Sequence, residues 1–335
     1  MISDRIRSSL KTEFKQSLMA RVGVTIIVAI LLMGIFAPVL ATHNPHAQGY
    51  TDDNGASYPP LGLSYDTTVA QEGERVTHTV EGTGEHVLGT NNLGQDIYSR
   101  FLYGARTSLL VGISGTLLAA AIGVPVGLAA GYFGGRVDDG LMRIADVMLA
   151  FPSLVLALAL MGAFGRGTIG IPDPIVMAGF AEGMPETMTF PGMVAVVVAL
   201  VTWVWFARVA RGEAISIRNE AYVKAARSIG ASHRTILLRH VLPNSLTPII
   251  VLATIQVAAI IILESALSYL GFSGTTLSWG FEIQNGQDRL RTQWWIATIP
   301  GIGIVLAVIG INLLGDWLRD ALDPNIEGEG AGGAG

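Results

Sequence analysis

Six long apolar stretches set the terms for how this chain folds. They run roughly over Val22–Leu40, Leu109–Gly131, Leu141–Phe164, Gly192–Ala210, Leu246–Leu267 and Ile296–Leu314. A helix needs about 20 apolar residues to cross a hydrocarbon core of roughly 30 Å, and each stretch meets that length. Backbone N–H and C=O groups cannot go unpaired in lipid, and no stretch shows the period-2 alternation of barrel strands, so the spans are α-helices. The fold class expected is an all-α polytopic membrane protein of about six transmembrane helices in a cell membrane. Composition agrees: 50% of the 335 residues are hydrophobic and 14% charged, with a mean hydropathy of +0.50. The first apolar stretch follows a basic leader, but it is longer than the ~7–15 residues of a signal-peptide core and reads as an uncleaved helix. The chain has no cysteine, which excludes disulfides and thiolate metal sites.

Charge sets the expected orientation, because Lys and Arg collect in short cytoplasmic loops. With the N-terminus inside, fifteen of the 21 basic residues lie inside. They comprise Arg5, Arg7, Lys11, Lys15 and Arg21 in the arm, Arg136 and Arg143 in the second inside loop, seven from Arg208 to Arg239, and Arg319. Arg75, Arg100, Arg106, Arg166, Arg289 and Arg291 fall outside. Both termini are therefore expected in the cytoplasm. The organisation expected is an arm and first helix (1–41), an extracytoplasmic loop (42–106), a core of five helices (107–318) with a cytoplasmic loop at 211–244, and a tail (319–335) ending in Gly-rich EGEGAGGAG, a composition that predicts disorder. The 42–106 loop reads as a solvated spacer, with the alternation in RVTHTV suggesting a hairpin.

Several residues invite a functional or a structural reading. Asp146 and Glu264 are acids at predicted helix ends, where they serve either as structural hydrogen-bonding groups or as contacts for a substrate or ion. Pro152 in AFPS predicts a kink in the third span, and with Asp146 and Glu264 it completes the candidate substrate path. Glycines at 123, 127, 131 and 135 form a ladder for close helix approach, within the chain or to another subunit. His43 and His46 supply too few ligands for a metal site, and none is expected. No G-x-x-x-x-G-K-[ST], H-E-x-x-H or G-x-S-x-G occurs, so the chain has no catalytic residues to nominate and energy for transport comes from elsewhere.

The densest basic run is EAYVKAARSIGASHRTILLRHVLPN, Glu220–Asn244. Ala221, Ala225 and Ala226 are small, Lys224 and Arg227 are spaced for one helical face, and Gly230 breaks the helix. A second helical run follows, with Ile236, Leu237, Val241 and Leu242 on an apolar side suited to the membrane surface, and Pro243 ends or kinks it. The spacing AA-x3-G-x9-HVLP, Ala225–Pro243, resembles the EAA loop of the membrane subunits of binding-protein-dependent ABC importers. HVLGTNNLGQDIYSRFLYGARTSLLVG (His86–Gly112), GYFGGRVDDGLMRIADVMLAFPS (Gly131–Ser153) and LGDWLRDALDP (Leu314–Pro324) are similar to the C-type permease of dipeptide and oligopeptide (peptide/nickel) importers. The resemblance implies the type I ABC importer permease fold and a coupling helix that docks on an ATPase subunit. The matching positions are Tyr222, Lys224, Ala225, Ala226, Arg227, Gly230, Ala231, Arg234, His240, Leu242 and Pro243. Lys224 stands where the family's triplet has Glu, and His240 where it has Ile. The resemblance further implies a second homologous permease in a heterodimer, two cytoplasmic ATPases that carry ATP and Mg, an external solute-binding protein and the lipid bilayer, with no nucleic acid and no cofactor on this chain. Nickel or another small solute is the alternative cargo, and an ion-coupled secondary transporter the alternative mechanism, although no internal repeat supports the latter.

Overall fold

A computed structural model describes Phe14 and residues 17–71 and 74–322. The basic residues Arg5, Arg7, Lys11 and Lys15, and the Gly-rich end, lie outside the described residues.

Ser17 caps the first helix, α1 (Leu18–Ile35), by accepting from the Ala20 N–H at 3.1 Å. The short α2 (Ala37–Leu40) follows, opened by a proline in its first turn, where the missing N–H costs nothing. The RVTHTV alternation does form a hairpin: β1 (Ser64–Gln71) pairs antiparallel with β2 (Glu74–Glu81). Gln293 Nε2 donates to Tyr65 Oη at 3.1 Å and Tyr65 donates to the Ser57 carbonyl at 3.0 Å, which ties the hairpin to the helical bundle. The Asp52 carboxylate meets His78 at 2.8 Å. Burial raises the Asp52 pKa, but hydrogen bonds from Ala56, His78 and Asn54 outweigh it and hold the carboxyl below its ordinary value.

Asp96 accepts from the Ser99 N–H and opens α3 (Ile97–Phe133), a helix of 37 residues. At 1.5 Å per residue it is about 55 Å long, well beyond a bilayer core. It therefore starts before the predicted Leu109, and Arg100 and Arg106 belong to its first turns rather than to a loop. Its glycine ladder resolves as packing within the chain. A Cβ on Gly123, Gly127 or Gly131 would lie 2.2, 2.1 or 2.4 Å from the carbonyl oxygens of Trp203, Ala207 and Arg211. Those carbonyls belong to α7 (Gly192–Ile217). Gly135, the fourth rung, stands in open space.

The third apolar stretch is not one kinked helix. It divides into α4 (Gly135–Leu149) and α5 (Ser153–Phe164), bent by 93° around Ala150–Pro152. Pro152 has no N–H to offer the helix and pushes Phe151 out of helical geometry. Arg136, Asp138, Asp139, Arg143 and Asp146 crowd α4 with charge unsuited to lipid. Arg211 grips Asp138 through two hydrogen bonds of 2.5 and 2.7 Å and so holds α4 against α7. Among the described residues, five helices are each long and apolar enough to cross a membrane, six if the bent pair counts as one span.

A second hairpin, β3 (Ile169–Pro172) with β4 (Thr187–Phe190), flanks the short α6 (Pro174–Met177). The central element is α7: 67% of its most apolar window is buried, against 22 to 39% in the other spans. After α7 come α8 (Ala221–Ser228), α9 (His233–Ile236), a π turn at Leu237–Val241, and α10 (Leu242–Tyr269). Of the two outcomes expected of Pro243, an end or a kink, the end does not occur, because the proline falls in the first turn of α10, just after the π turn has shifted the hydrogen-bond register. The chain closes with α11 (Trp279–Gly286) and α12 (Trp295–Leu322). Trp279, fully buried, donates its indole N–H to the Phe101 carbonyl at 3.1 Å and locks α11 onto α3.

Candidate functional site

The residues from Glu220 to Pro243 form a knob at the end of the bundle opposite the β1–β2 hairpin. Its first half is α8. Val223 (0% exposed) and Ala226 point into the bundle, three residues apart on one helical face. Tyr222, Lys224, Ala225 and Arg227 point out. The end of α8 is a Schellman turn, with Gly230 N–H donating to the Arg227 carbonyl at 3.1 Å and Ala231 N–H to the Ala226 carbonyl at 3.0 Å. Gly230 supplies the positive φ of 85° that this turn requires. Ser232 then accepts from the Thr235 N–H at 3.2 Å and starts α9.

The knob is continuous with the bundle. Val223, Ile236 and Val241 share one apolar cluster with Tyr132 of α3 and with Trp203, Phe206 and Ala210 of α7. The apolar side of the second run is thus turned inward: Ile236 and Val241 are fully buried, and Leu237 and Leu242 pack partly against the same cluster, not on a membrane surface. Ala226 turns its small side chain to the bundle, which leaves Ala221, Ala225 and Gly230 as small exposed residues of the knob. Tyr132 joins the two halves of the knob. Its hydroxyl shares a 2.9 Å hydrogen bond with His233 Nδ1, and the Arg227 guanidinium lies 5.5 Å from its ring centre. Arg218 donates to the Gly131 carbonyl at 2.7 Å and pins the end of α7 to the end of α3. The knob is thus packed in one apolar cluster with residues of α3, α7 and α10. The outer face carries Lys224, exposed Arg234, Tyr222 close to His240, and Ile229 at 86% exposed. Ile229 and Tyr132 escaped the sequence reading. An isoleucine one residue before a helix-ending glycine was the available signal for the first, whereas nothing local marks Tyr132 as a partner of His233, 101 residues away.

Asp146, Pro152 and Glu264 are not brought together. Asp146 is 62% exposed and pairs with half-exposed Arg208 at 2.7 Å, a surface pair worth about 0–1 kcal/mol. Pro152 is exposed at the α4–α5 break. Glu264 is fully buried and accepts from Ser108 of α3 at 3.0 Å, Ser265 at 3.3 Å and Ser268 at 2.6 Å. These bonds make it a polar tie between α3 and α10, which supports the structural reading. Glu264→Ala strands the hydroxyls and is expected to destabilise by about 1–3 kcal/mol, whereas Glu264→Gln keeps an acceptor and stays close to wild type. Thermal unfolding in detergent checks both; wild-type melting of Glu264→Gln with lost transport would instead put the carboxylate in the substrate path.

A second polar tie holds the hairpin end. Arg100 and Glu282 are both buried and meet at 2.6 Å, and Arg100 also donates to the Pro45 carbonyl at 2.7 Å. Arg106 pairs with buried Asp173. Partial burial of the ring, with the Arg100 charge adding to it, lowers the His46 pKa below its ordinary value. Removing one partner of a buried ion pair leaves the other uncompensated, so Arg100→Ala is expected to cost about 3–5 kcal/mol. Arg100→Met combined with Glu282→Leu should recover much of that loss in the same melt. A double variant no more stable than Arg100→Ala would show that the charges do more than neutralise each other.

Comparison with known proteins gives this bundle and its knob a family. Residues 123–328 match the family described as binding-protein-dependent transport system inner membrane component. Residues 11–60 match the N-terminal TM domain of oligopeptide transport permease C. The chain belongs to the family of inner-membrane components of binding-protein-dependent transport systems, and is a multi-pass membrane permease subunit of an ABC importer. The probable D,D-dipeptide transport system permease protein DdpC of Escherichia coli (strain K12) is 35% identical over 306 residues, which cover 91% of this chain and 87% of that protein. The oligopeptide transport system permease protein OppC of Bacillus subtilis (strain 168) is 33% identical over 93% of this chain and 88% of its own length. Among solved structures, a chain of the MetNI methionine ABC transporter in an inward-facing crystal form superposes with a TM-score of 0.51, covering 67% of this chain and 97% of that one at 15% identity. This likeness concerns the fold.

Proposed function

We propose that this subunit forms half of a translocation path for dipeptides or oligopeptides. Its sequence similarity to peptide permeases along nearly the whole chain supports that cargo. The other half is a second homologous permease, and an external solute-binding protein delivers the peptide. Two cytoplasmic ATPases bind ATP and Mg. The hairpin end faces outward and the knob faces the cytoplasm, with 42–106 outside, 107–318 as the permease core and 211–244 as the coupling loop. The knob carries this reading: its outer face is free for a partner while its inner face is locked into the core of the bundle.

On this account Tyr222, Lys224, Ala225, Gly230, Arg234 and Ile229 meet the ATPase. Ala226, Arg227, Ala231, His240, Leu242 and Pro243 set the shape and attachment of the surface. Closure of the ATPases on ATP displaces α8, and the contacts of Val223 and Tyr132 convert that displacement into a shift of α3, α7 and α10 between inward- and outward-open arrangements. The chain transmits force and makes no bonds. The test is uptake of labelled di- and tripeptides into vesicles holding the full assembly and its binding protein. Uptake should require ATP and survive collapse of ion gradients. Uptake that persists without ATP and follows an ion gradient would overturn the reading, and nickel uptake in place of peptide would move the cargo alone.

A further inference from the structure

Three side chains from separate segments converge beside the start of α3: His43 from the turn after α2, His86 from the segment after the β1–β2 hairpin, and Asp96, which caps α3. Each offers one ligand atom, and these atoms lie within 4.8 Å of one another. Asp96 and His86 are buried, and His43 is half-buried. His86 Nδ1 lies 3.0 Å from Asp96 Oδ1. The other carboxylate oxygen accepts from the Ser99 N–H at 2.8 Å and from its hydroxyl at 2.7 Å, so the carboxylate cannot rotate away. His43 is fixed twice: its N–H donates to Ser99 Oγ at 3.1 Å, and its Nδ1 lies 3.0 Å from Thr42 Oγ1. The two imidazoles stand 4.6 Å apart, Tyr50 packs on both at 4.9 and 4.8 Å, and Tyr58 stacks on His86 at 5.9 Å.

We propose that His43, His86 and Asp96 form a site for one divalent transition-metal ion of the zinc type. Two imidazoles and one carboxylate make a borderline nitrogen and oxygen donor set, which suits zinc and its neighbours and disfavours calcium or magnesium, which take oxygen ligands. Hydrogen bonds from Ser99 and Thr42 to the remaining atoms of the ligands are the outer support that such sites use to orient their donors. A plain His86–Asp96 hydrogen bond involves only two of these residues, whereas Ser99, Thr42 and Tyr50 hold His43 so that it brings a third donor to the same point. Three protein ligands leave a fourth position of a tetrahedral site for water. An ion there cross-links three chain segments at the hairpin end, and so stiffens the surface from which α3 starts.

The probe is zinc itself, added to the detergent-purified full assembly after removal of the affinity tag and stripping with chelator. Elemental analysis after dialysis should find about one zinc per permease chain. His43→Ala, and Asp96→Asn, which keeps a capping oxygen but loses the charge, should each weaken binding by about tenfold or more. His46→Ala, which alters a nearby histidine outside the cluster, should bind as wild type does. Cobalt in place of zinc should give the visible absorption of a four-coordinate nitrogen and oxygen site, lost in His43→Ala. Equal melting of all three variants and wild type in chelator excludes misfolding as the cause. Zinc that is substoichiometric, or stoichiometric zinc unaffected by His43→Ala and Asp96→Asn, would overturn the proposal.

Discussion

Gly230→Asp should reduce ATP-driven uptake by about tenfold or more, the effect of losing roughly 1.4 kcal/mol at the coupling step, while leaving membrane insertion intact and lowering the melting temperature by only about 2–8 °C. Gly230 sits at φ 85° with open space where a Cβ would point, so the fold itself does not clash with a side chain. The penalty is conformational, about 1–2 kcal/mol for a left-handed residue with a Cβ. It falls on the Schellman turn that orients Ile229 and starts α9, and it adds a charge to the outer face of the knob. Ala226→Trp should uncouple by another route, because Ala226 faces the bundle and a large ring there lifts α8, with its Val223, from the cluster of Tyr132, Trp203 and Phe206. The check is uptake and ATP hydrolysis measured together at matched expression. Hydrolysis retained with uptake lost is the uncoupled outcome, and unchanged uptake in both variants would remove the role assigned to this surface.

Gly127→Ala should destabilise the chain by about 2–3 kcal/mol, despite a helix propensity that favours alanine by about 1 kcal/mol. The added methyl would lie 2.1 Å from the Ala207 carbonyl oxygen, and backbone in the middle of α7 has nowhere to move. Gly123→Ala and Gly131→Ala face the same obstacle, at 2.2 Å from Trp203 and 2.4 Å from Arg211. Gly140 of α4 is the control: a Cβ there has no neighbour, so Gly140→Ala should be neutral or slightly stabilising. Thermal unfolding in detergent separates the two sets. If Gly127→Ala melts at or above wild type, α3 and α7 are not in contact along this ladder.

The elements that sequence patterning made legible are those whose cause is local. Apolar length announced the spans, the alternation in RVTHTV the hairpin, and Gly230 the turn of the knob. What stayed hidden depends on partners far along the chain. Residues Ile97–Ser108 carry Arg100 and Arg106 and look like loop, yet Glu282 and Asp173 neutralise both charges and let the helix continue. The glycine ladder was visible, but whether it met α7 or another subunit was not, because spacing describes one surface only. Likewise the small residues of α8 suggested a face, and only the apolar cluster around Val223 tells which of them look inward. The outward set, and with it the docking role, is the part that rests on the resemblance of Ala225–Pro243 to a coupling loop.

The most direct measurement is a mild-detergent pull-down of the tagged chain from its native membrane, with mass spectrometry of what accompanies it. A second six-helix permease and P-loop ATPases should come along with wild type, and Gly230→Asp should recover less of the ATPases while keeping the second permease. Recovery of the chain alone, under conditions that preserve a control ABC complex, would contradict the account of this chain as the coupled half of an ATP-driven importer.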